Sequence, residues 1–401
     1  MFSFGKPSKK AFANQLRDAI SKVNDSIKFR FDVSQFSLVA EDDKSQSVNL
    51  SNLYKEHCSL AKEDREANIL RVASIFSGEH DLPTDFSEAR SNLRPKIWNR
   101  STFEFMELKR RINGGKPMEL PLYPVGSHLY STLVYDTENA MRSLSVQDLD
   151  NWGINYYEAF EIACQNLEET TVAFANIGDH FYSSATGDNY DSSRALLLDR
   201  VRSFEVPGDH IAIVPQRDAM YLTGSGSDES LLIMFDLTAK TIEEEPRPLC
   251  PLPMKLVDGE WVDWAPPKNH VLRKRFDEME LRFLGGLYTD QKELLDELFM
   301  GSDVEDPPFV ASFSAMQRED SDDNLLSYCV WGDGVDTLLP RTQVVMLAAG
   351  EGLAASGYWE HVLSVAGDLV EVDDSYYPTR YRVREFPSAE ILDEIGKLDL
   401  D

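Results

Sequence analysis

The strongest local constraint on the fold lies in the run MKLVDGEWVDW, residues 254–264. Two runs of alternating apolar and polar residues flank the dipeptide Asp258-Gly259. Both residue types tolerate the positive φ angles that a type I′ turn requires. We therefore predict a two-residue β-hairpin at this point of the chain.

Helical and strand-like patterns follow one another along the chain in no fixed order. Residues 155–170 carry apolar side chains at helical spacing, and the runs at 210–215 and 219–224 are typical of two strands. A further helix is predicted over 192–204, SSRALLLDRVRSF. These elements predict an α+β fold of small mixed sheets with packed helices.

A chain of 401 residues exceeds one ordinary core, so more than one module is expected. Two prolines punctuate the stretch APPKNH at 265–270 and mark a boundary. We predict an α+β module over 1–268 and a second over 269–401. A finer division separates an N-terminal sub-module over 1–120.

The C-terminal module is predicted to be a diverged repeat of 151–240. The stretches VPQRDAMYL (214–222) and LPRTQVVML (339–347) both begin with an apolar residue and a proline. In each of them a leucine follows seven residues after that proline. Such self-similarity indicates an internal duplication.

The charge of the chain restricts its partners. Lys and Arg total 40 against 69 Asp and Glu, which gives a net charge of −29. Phosphate backbones and anionic lipid surfaces repel such a chain, so we expect no nucleic-acid and no membrane partner. Such a charge indicates either high solubility or a basic protein partner.

The cysteines and the apolar runs bear on the compartment. Cys58, Cys164, Cys250 and Cys329 show no CxxC pairing, which is typical of buried thiols in a reducing environment. No apolar run approaches the roughly 18 residues of a membrane span, and the first residues lack the apolar core of a secretory signal. We expect a cytoplasmic protein.

Several motifs occur in one order along the first two thirds of the chain. They are RPKIWNR at 94–100, ACQNL at 163–167, YDSSR at 190–194, VPQRD at 214–218 and the hairpin run after PLP. In order and rough spacing this set resembles the bacterial YtpQ family, over roughly residues 1–265. The resemblance implies an uncharacterised role, because the family has no established activity, and it leaves the last third of the chain outside.

The stretch GDNYDSSRALLLD contains the strongest candidate site. Arg194 lies in the first turn of the predicted helix, where the helix dipole disfavours a cation. A partner for its guanidinium is therefore expected: Asp188, Asp191 or an anionic ligand. If the role is catalytic or ligand-binding, Asp188, Tyr190, Asp191 and Arg194 are the candidate residues.

A structural interpretation of the same stretch is also available. Asp191 or Ser192 would cap the helix by accepting hydrogen bonds from its first backbone N–H groups. The leucines that follow would then enter the core. We favour this interpretation, with Arg194 held by a neighbouring carboxylate.

Nucleotide binding at 350–355 is a further alternative. Gly350 and Gly352 follow a predicted strand with the spacing of a dinucleotide fingerprint, and acids follow some twenty residues on. However, Glu351 places a negative charge where a pyrophosphate would lie. We therefore favour simple turn glycines at Gly350 and Gly352.

No metal site or other cofactor is predicted. The chain has no HExxH and no CxxC motif, and the acidic run REDSDD at 318–323 lacks the glycine and final glutamate of an EF-hand loop. The preferred hypothesis is a cytoplasmic, non-enzymatic protein-interaction module with a strongly acidic surface. The main alternative is a small-molecule-binding protein or enzyme that uses the helix start at 187–194.

Overall fold

The computed structural model describes ten stretches of the chain and divides into two compact units. Unit 1 comprises Met1–Trp98 and Met118–Asp263, and unit 2 comprises Asn99–Pro117 and Trp264–Asp401. The described stretches are 7–41, 47–74, 82–137, 141–171, 174–184, 186–244, 248–301, 306–317, 325–350 and 352–399. The acidic run at 318–323 lies outside these residues.

The elements confirm the predicted α+β class, with helices beside several small sheets. The division into units differs from the predicted modules, 1–268 and 269–401, because the segment 99–117 packs with the C-terminal residues. Within the described stretches, no helix combines the length and the apolar character needed to cross a membrane.

The described residues from 7 to 74 form an N-terminal subdomain of unit 1. Its elements are α1 (Lys9–Val23), β1 (Phe29–Asp32), β2 (Ser37–Ala40), β3 (Ser47–Asn49), α2 (Ser51–Ser59) and α3 (Arg65–Ser74). The three strands are antiparallel in the order β1-β2-β3. Helix α1 begins where the Ser8 side chain accepts a hydrogen bond from the Ala11 N–H. Its buried residues at helical spacing, Phe12, Leu16 and Ile20, belong to an apolar cluster drawn from within this subdomain.

A second small sheet follows in unit 1, with strand order β4-β6-β5 and β7 paired to β6. The elements are α4 (Phe86–Ala89), β4 (Leu93–Asn99), β5 (Tyr123–Val125), β6 (Leu129–Asp136), β7 (Met141–Ser143), α6 (Val146–Trp152) and α7 (Tyr156–Thr170). Helix α7 is capped by Asn155 and buries Ala159, Ala163 and Leu167. The amphipathic helix predicted here is confirmed.

Six strands form the largest sheet, in the order β13-β12-β10-β11-β9-β8. Its elements are β8 (Ala175–Asn176), β9 (Tyr182–Ser184), α8 (Leu198–Arg202), β10 (His210–Gln216), β11 (Ala219–Gly224), α9 (Asp228–Glu244), β12 (Met254–Val257) and β13 (Glu260–Asp263). Asp258 and Gly259 have φ angles of 49° and 92°, which confirms the predicted hairpin between β12 and β13. Trp261 in that hairpin donates its indole N–H to the Ala195 carbonyl at 2.8 Å.

The prediction of one helix over 192–204 was wrong. A 3₁₀ turn over Ser192–Leu196 is separated from α8 by Leu197, whose ψ of 69° is not helical. The turn is tied to two neighbouring segments: the Ser192 N–H donates to the carbonyl of Arg217, in the loop between β10 and β11, at 3.1 Å. In addition, Ser193 Oγ accepts the Ile97 N–H at 3.2 Å. These tertiary hydrogen bonds override the local helical pattern.

Unit 2 combines two long helices with two four-stranded sheets, β15-β16-β18-β19 and β14-β17-β21-β20. Its elements are α5 (Arg100–Ile112), α10 (Arg273–Met300), β14 (Phe309–Val310), β15 (Ser314–Gln317), β16 (Leu325–Gly332), β17 (Thr337–Pro340), β18 (Val344–Ala349), β19 (Gly352–Tyr358), α11 (Trp359–Ala366), β20 (Val370–Asp373), β21 (Arg380–Val383) and α12 (Ala389–Ile395). Leu108 of α5 packs in one apolar cluster with Leu294 and Leu295 of α10. This burial explains why the segment 99–117 belongs to unit 2.

The strand pairing contradicts the proposed repeat. Residues 214–222 contain a tight hairpin, in which β10 and β11 pair with each other. Residues 339–347 instead contain the end of β17 and most of β18, which lie in different sheets. The two stretches are similar in sequence but do not have the same local structure.

Candidate functional site

Arg194 lies at the centre of the predicted site and is fully buried. Each of its three guanidinium nitrogens has an acceptor. Nη1 lies 3.0 Å from Asp188 Oδ1 and 3.1 Å from Asp191 Oδ1, and Nη2 lies 2.6 Å from Asp188 Oδ2. Nε donates to Thr171 Oγ1 at 3.1 Å. The predicted internal ion pair is present, and it involves both candidate carboxylates.

Asp191 does not cap the turn that follows it, contrary to the prediction. Its buried carboxylate is directed backwards, where it accepts hydrogen bonds from the N–H groups of Thr186 and Gly187, each at 2.7 Å. Ser184 Oγ donates to the same carboxylate at 2.6 Å. Asp191 therefore ties the preceding loop to Arg194, and charge-assisted hydrogen bonds of this kind are among the stronger ones.

Ser192, the other predicted cap, does not act as one either. Its side chain is buried, and its Oγ atom has no hydrogen-bond partner in the described part of the chain. The turn is instead held through the backbone N–H groups of Ser192 and Ser193. The cap prediction failed because these groups find their acceptors elsewhere.

Asp188 is the exposed edge of the cluster, with one third of its side chain accessible. Burial by itself raises the pKa of this carboxyl, but the hydrogen bonds from Arg194 and from the Tyr190 N–H bring the pKa below its ordinary value. The carboxylate is thus held in its charged form as the outer partner of Arg194.

Tyr190 is adjacent to Asp191 in the sequence, but its side chain does not bond to Arg194 and has a partner of its own. Its hydroxyl donates to Asp136 Oδ2 at 2.7 Å. Burial, followed by that carboxylate, raises the pKa of the phenol. The side chain is therefore a neutral hydrogen-bond donor, and it packs against Leu167 and Leu197.

Lys96 is a neighbour that the sequence analysis did not single out. It is fully buried on β4, donates to the Asn189 carbonyl, and lies 4.5 Å from the centre of the Tyr190 ring. Burial, and then the nearby Arg217 cation, lowers the pKa of its amine to about 8. Its strand position gave no signal, because a lysine on a short strand normally indicates an exposed face.

Gly350 and Gly352 do not form a phosphate-binding loop. They connect β18 to β19, which pair as an antiparallel hairpin with Ala349 opposite Gly352. Gly350 has a φ of 60°, as a turn requires. A dinucleotide fingerprint needs a helix after the glycines, so the structure contradicts the alternative at 350–355.

Within the described stretches, no group of three or more His, Cys, Asp or Glu side chains is arranged to hold a metal ion. Cys250 and Cys329 are fully buried, and burial raises the pKa of both thiols to about 12. Such thiols stay protonated and unreactive at neutral pH.

Charge is distributed unevenly along the chain. Residues 1–81 contain 12 Lys and Arg and 12 Asp and Glu, whereas residues 82–401 contain 28 and 57. All of the excess negative charge therefore lies in the sequence after the N-terminal subdomain.

Comparisons with family models, with curated proteins and with solved structures give no match to this chain. The resemblance to the YtpQ family stays a prediction that depends on the co-linear motifs.

Proposed function

We propose that the protein is a non-enzymatic cytoplasmic interaction module that binds a basic protein. We also propose that it belongs to the YtpQ family, on the basis of the resemblance over roughly residues 1–265. The observation that carries the interaction role is the charge of residues 82–401, where acids outnumber bases by 57 to 28. An excess of this size attracts basic partners and increases their rate of association.

Helix α7 offers a specific contact surface for such a partner. Glu158, Glu161 and Glu169 are exposed along one stripe of this helix. Tyr157 stands beside them with 69% of its surface accessible. Tyrosine is enriched at protein interfaces and acids select a basic partner, so this stripe combines an anchor with charge complementarity.

The Arg194 cluster supports the same proposal. Its guanidinium has internal acceptors for all three nitrogens, and of its two carboxylate partners Asp191 is fully buried and Asp188 is one third exposed. A ligand would have to displace one of these carboxylates to reach Arg194. The cluster thus serves to join the loop at 186–191 to its surroundings.

The test is protein capture with three forms of the full chain: wild type, the α7 variant Glu158→Gln/Glu161→Gln/Glu169→Gln, and the control Glu390→Gln/Asp393→Asn/Glu394→Gln. The control changes three exposed acids on α12, so the net charge shifts equally. We expect wild type and control to retain one basic protein that salt releases, and the α7 variant to lose it. Equal retention by all three forms would contradict the proposal.

The alternative, an enzyme or ligand-binding protein at 187–194, has one observation in its favour. The Lys96 amine, with a pKa of about 8, lies beside Asn189 and Tyr190, and lysines with lowered pKa values act as bases and nucleophiles. Reductive methylation at pH 8 distinguishes the two functions. An accessible reactive amine would be labelled before the exposed lysines, whereas a buried structural Lys96 stays unlabelled until the protein unfolds.

A further inference from the structure

The N-terminal subdomain contains a cavity of about 810 Å³ that none of the motifs predicted. It is lined by residues of α1 and α3, by His57 of α2, and by Pro7 and Lys62 outside these helices. Its volume falls within the range of about 300–1,000 Å³ typical of small-molecule sites.

More cationic than acidic side chains line this cavity. Lys22, Lys62 and Arg65 all line it, together with the acids Asp18 and Glu66. Asp18 is already paired, since its Oδ1 atom lies 2.9 Å from Arg17. Arg65 is positioned by the donation of its Nε to the Leu60 carbonyl at 3.3 Å. The lining therefore contains three cations, with Glu66 and the Arg17-paired Asp18 as its acids.

His57 supplies a buried polar group that lines the same cavity. Its side chain is 98% buried, since only 2% of its surface is accessible. The Nδ1 atom has no hydrogen-bond partner in the part of the chain that the structure describes. Unpartnered buried polar atoms are rare in native proteins. Burial, and then Arg65, lowers the pKa of the imidazole, so the ring is neutral and can donate from one nitrogen.

The remaining walls are apolar. Ala19, Ile69 and Leu70 contribute to the lining, and Leu70 leaves 54% of its surface exposed. A ligand that fits both parts of this surface has an anionic group for the cations and an apolar body for the aliphatic side chains. The subdomain is also the neutral part of the sequence, so the anion is not repelled by an acidic excess here.

We propose that this cavity binds a small soluble organic anion, in which a phosphate or carboxylate group is attached to an apolar body. The oxyanion contacts Lys22, Lys62 and Arg65, and the neutral His57 ring forms part of the wall beside them. The apolar body packs on Ile69 and Leu70. This site is separate from the acidic α7 stripe and takes a ligand of the opposite charge.

The experiment is calorimetric titration of the full chain with phenyl phosphate, with benzoate and with neutral benzyl alcohol. The test variant is Lys22→Gln/Lys62→Gln, which alters two exposed side chains of the lining. The matched control is Lys10→Gln/Lys28→Gln, because both lysines are exposed in the same subdomain and neither lines the cavity. Thermal melts establish that both variants fold.

We expect at least one of the two anions to bind, and the alcohol not to bind. Loss of two cations should weaken that affinity about tenfold or more, an effect of about 1.4 kcal/mol. The control should bind as wild type does. An equal loss in both variants would overturn the proposal, because only general charge would then matter. Binding to phosphatidic-acid vesicles without binding of phenyl phosphate or benzoate would also overturn it, since the ligand would then be a membrane surface.

Discussion

Arg194 and Arg380 are both fully buried, and their environments differ. Arg194 in unit 1 is neutralised by the carboxylates of Asp188 and Asp191. Arg380 in unit 2 has neutral partners: it donates to Gln291 Oε1 at 2.5 Å and to the Ala311 carbonyl at 2.7 Å. Its guanidinium also lies 4.9 Å from the centre of the Tyr288 ring.

The difference shows two ways to bury a cation. Around Arg194, removal of the arginine leaves a buried negative charge behind, because Asp191 is itself fully buried. Around Arg380, removal leaves only neutral acceptors. Burial accordingly lowers the pKa of Arg380 to about 10, an effect that Tyr288, Cys329 and Asp296 only partly offset. The two sites should therefore respond differently to the same substitution.

Arg194→Met should produce the largest loss of stability. The substitution leaves Asp191 buried without its counter-ion, and breaking a buried pair in this way typically destabilises by about 3–5 kcal/mol. Urea unfolding at pH 7 measures the free energy. The double variant Asp191→Asn/Arg194→Met should lose less than the sum of the single variants, because the two residues interact directly. A stable Arg194→Met protein that fails to bind its partner would instead assign the cluster a functional role.

Lys96→Met tests a third buried cation, one with a single hydrogen-bond acceptor among the described residues. Because folding lowers the pKa of this amine to about 8, the unfolded chain binds more protons between that pH and the ordinary lysine pKa. Wild-type stability should therefore rise with pH across this window. The shift corresponds to roughly 3 kcal/mol as an upper figure.

The expected result for Lys96→Met is a protein at least as stable as wild type at pH 7, without the rise in stability above pH 8. The comparison is a series of urea titrations from pH 7 to pH 10. Lys255→Met, at a partly exposed lysine near Asp209, is the control and should keep the wild-type profile. A wild-type profile in Lys96→Met would show that this amine is not the group responsible.

Arg380→Met should cost less than Arg194→Met, about 1–3 kcal/mol. The substitution leaves the Gln291 oxygen and backbone carbonyls without a donor, and unsatisfied neutral groups carry penalties of this size. Removal of an uncompensated buried charge offsets part of the loss. Arg382→Gln is the control, because Arg382 forms a partly exposed pair with Asp336 that should contribute about 1 kcal/mol or less. A loss greater than that of Arg194→Met would break the distinction between the two sites.

The features that could be predicted from the sequence are those with a local cause. The Asp258-Gly259 turn needs only two residues, and the carboxylate partners of Arg194 lie three and six positions away. By contrast, the burial of Lys96 depends on Asn189, which is 93 residues distant.

The features that differ from the sequence-based predictions also have distant causes. The helix over 192–204 was lost to hydrogen bonds with Ile97 and Arg217, which no window of local sequence contains. The assignment of 99–117 to unit 2 depends on α10, which begins at Arg273. His57 was also missed, because the sequence pattern of α2 gave no sign that its imidazole would line a cavity.

Asp188→Asn should have the smallest effect, and its dependence on pH is the informative part. The folded-state pKa of Asp188 lies below its ordinary value, so the carboxylate stabilises the fold at pH values above that ordinary value. This contribution is lost as the pH falls through the folded-state pKa. One third of the side chain is exposed, so we expect a loss of about 1 kcal/mol or less at pH 7.

Urea titrations at pH 7 and near pH 3 should show that this loss of stability in Asp188→Asn becomes smaller in acid. Asp199→Asn, at a fully exposed side chain, should match wild type at both pH values. A deficit of Asp188→Asn that stays constant with pH would show that the amide disturbs packing, and that the charge of Asp188 does not support Arg194.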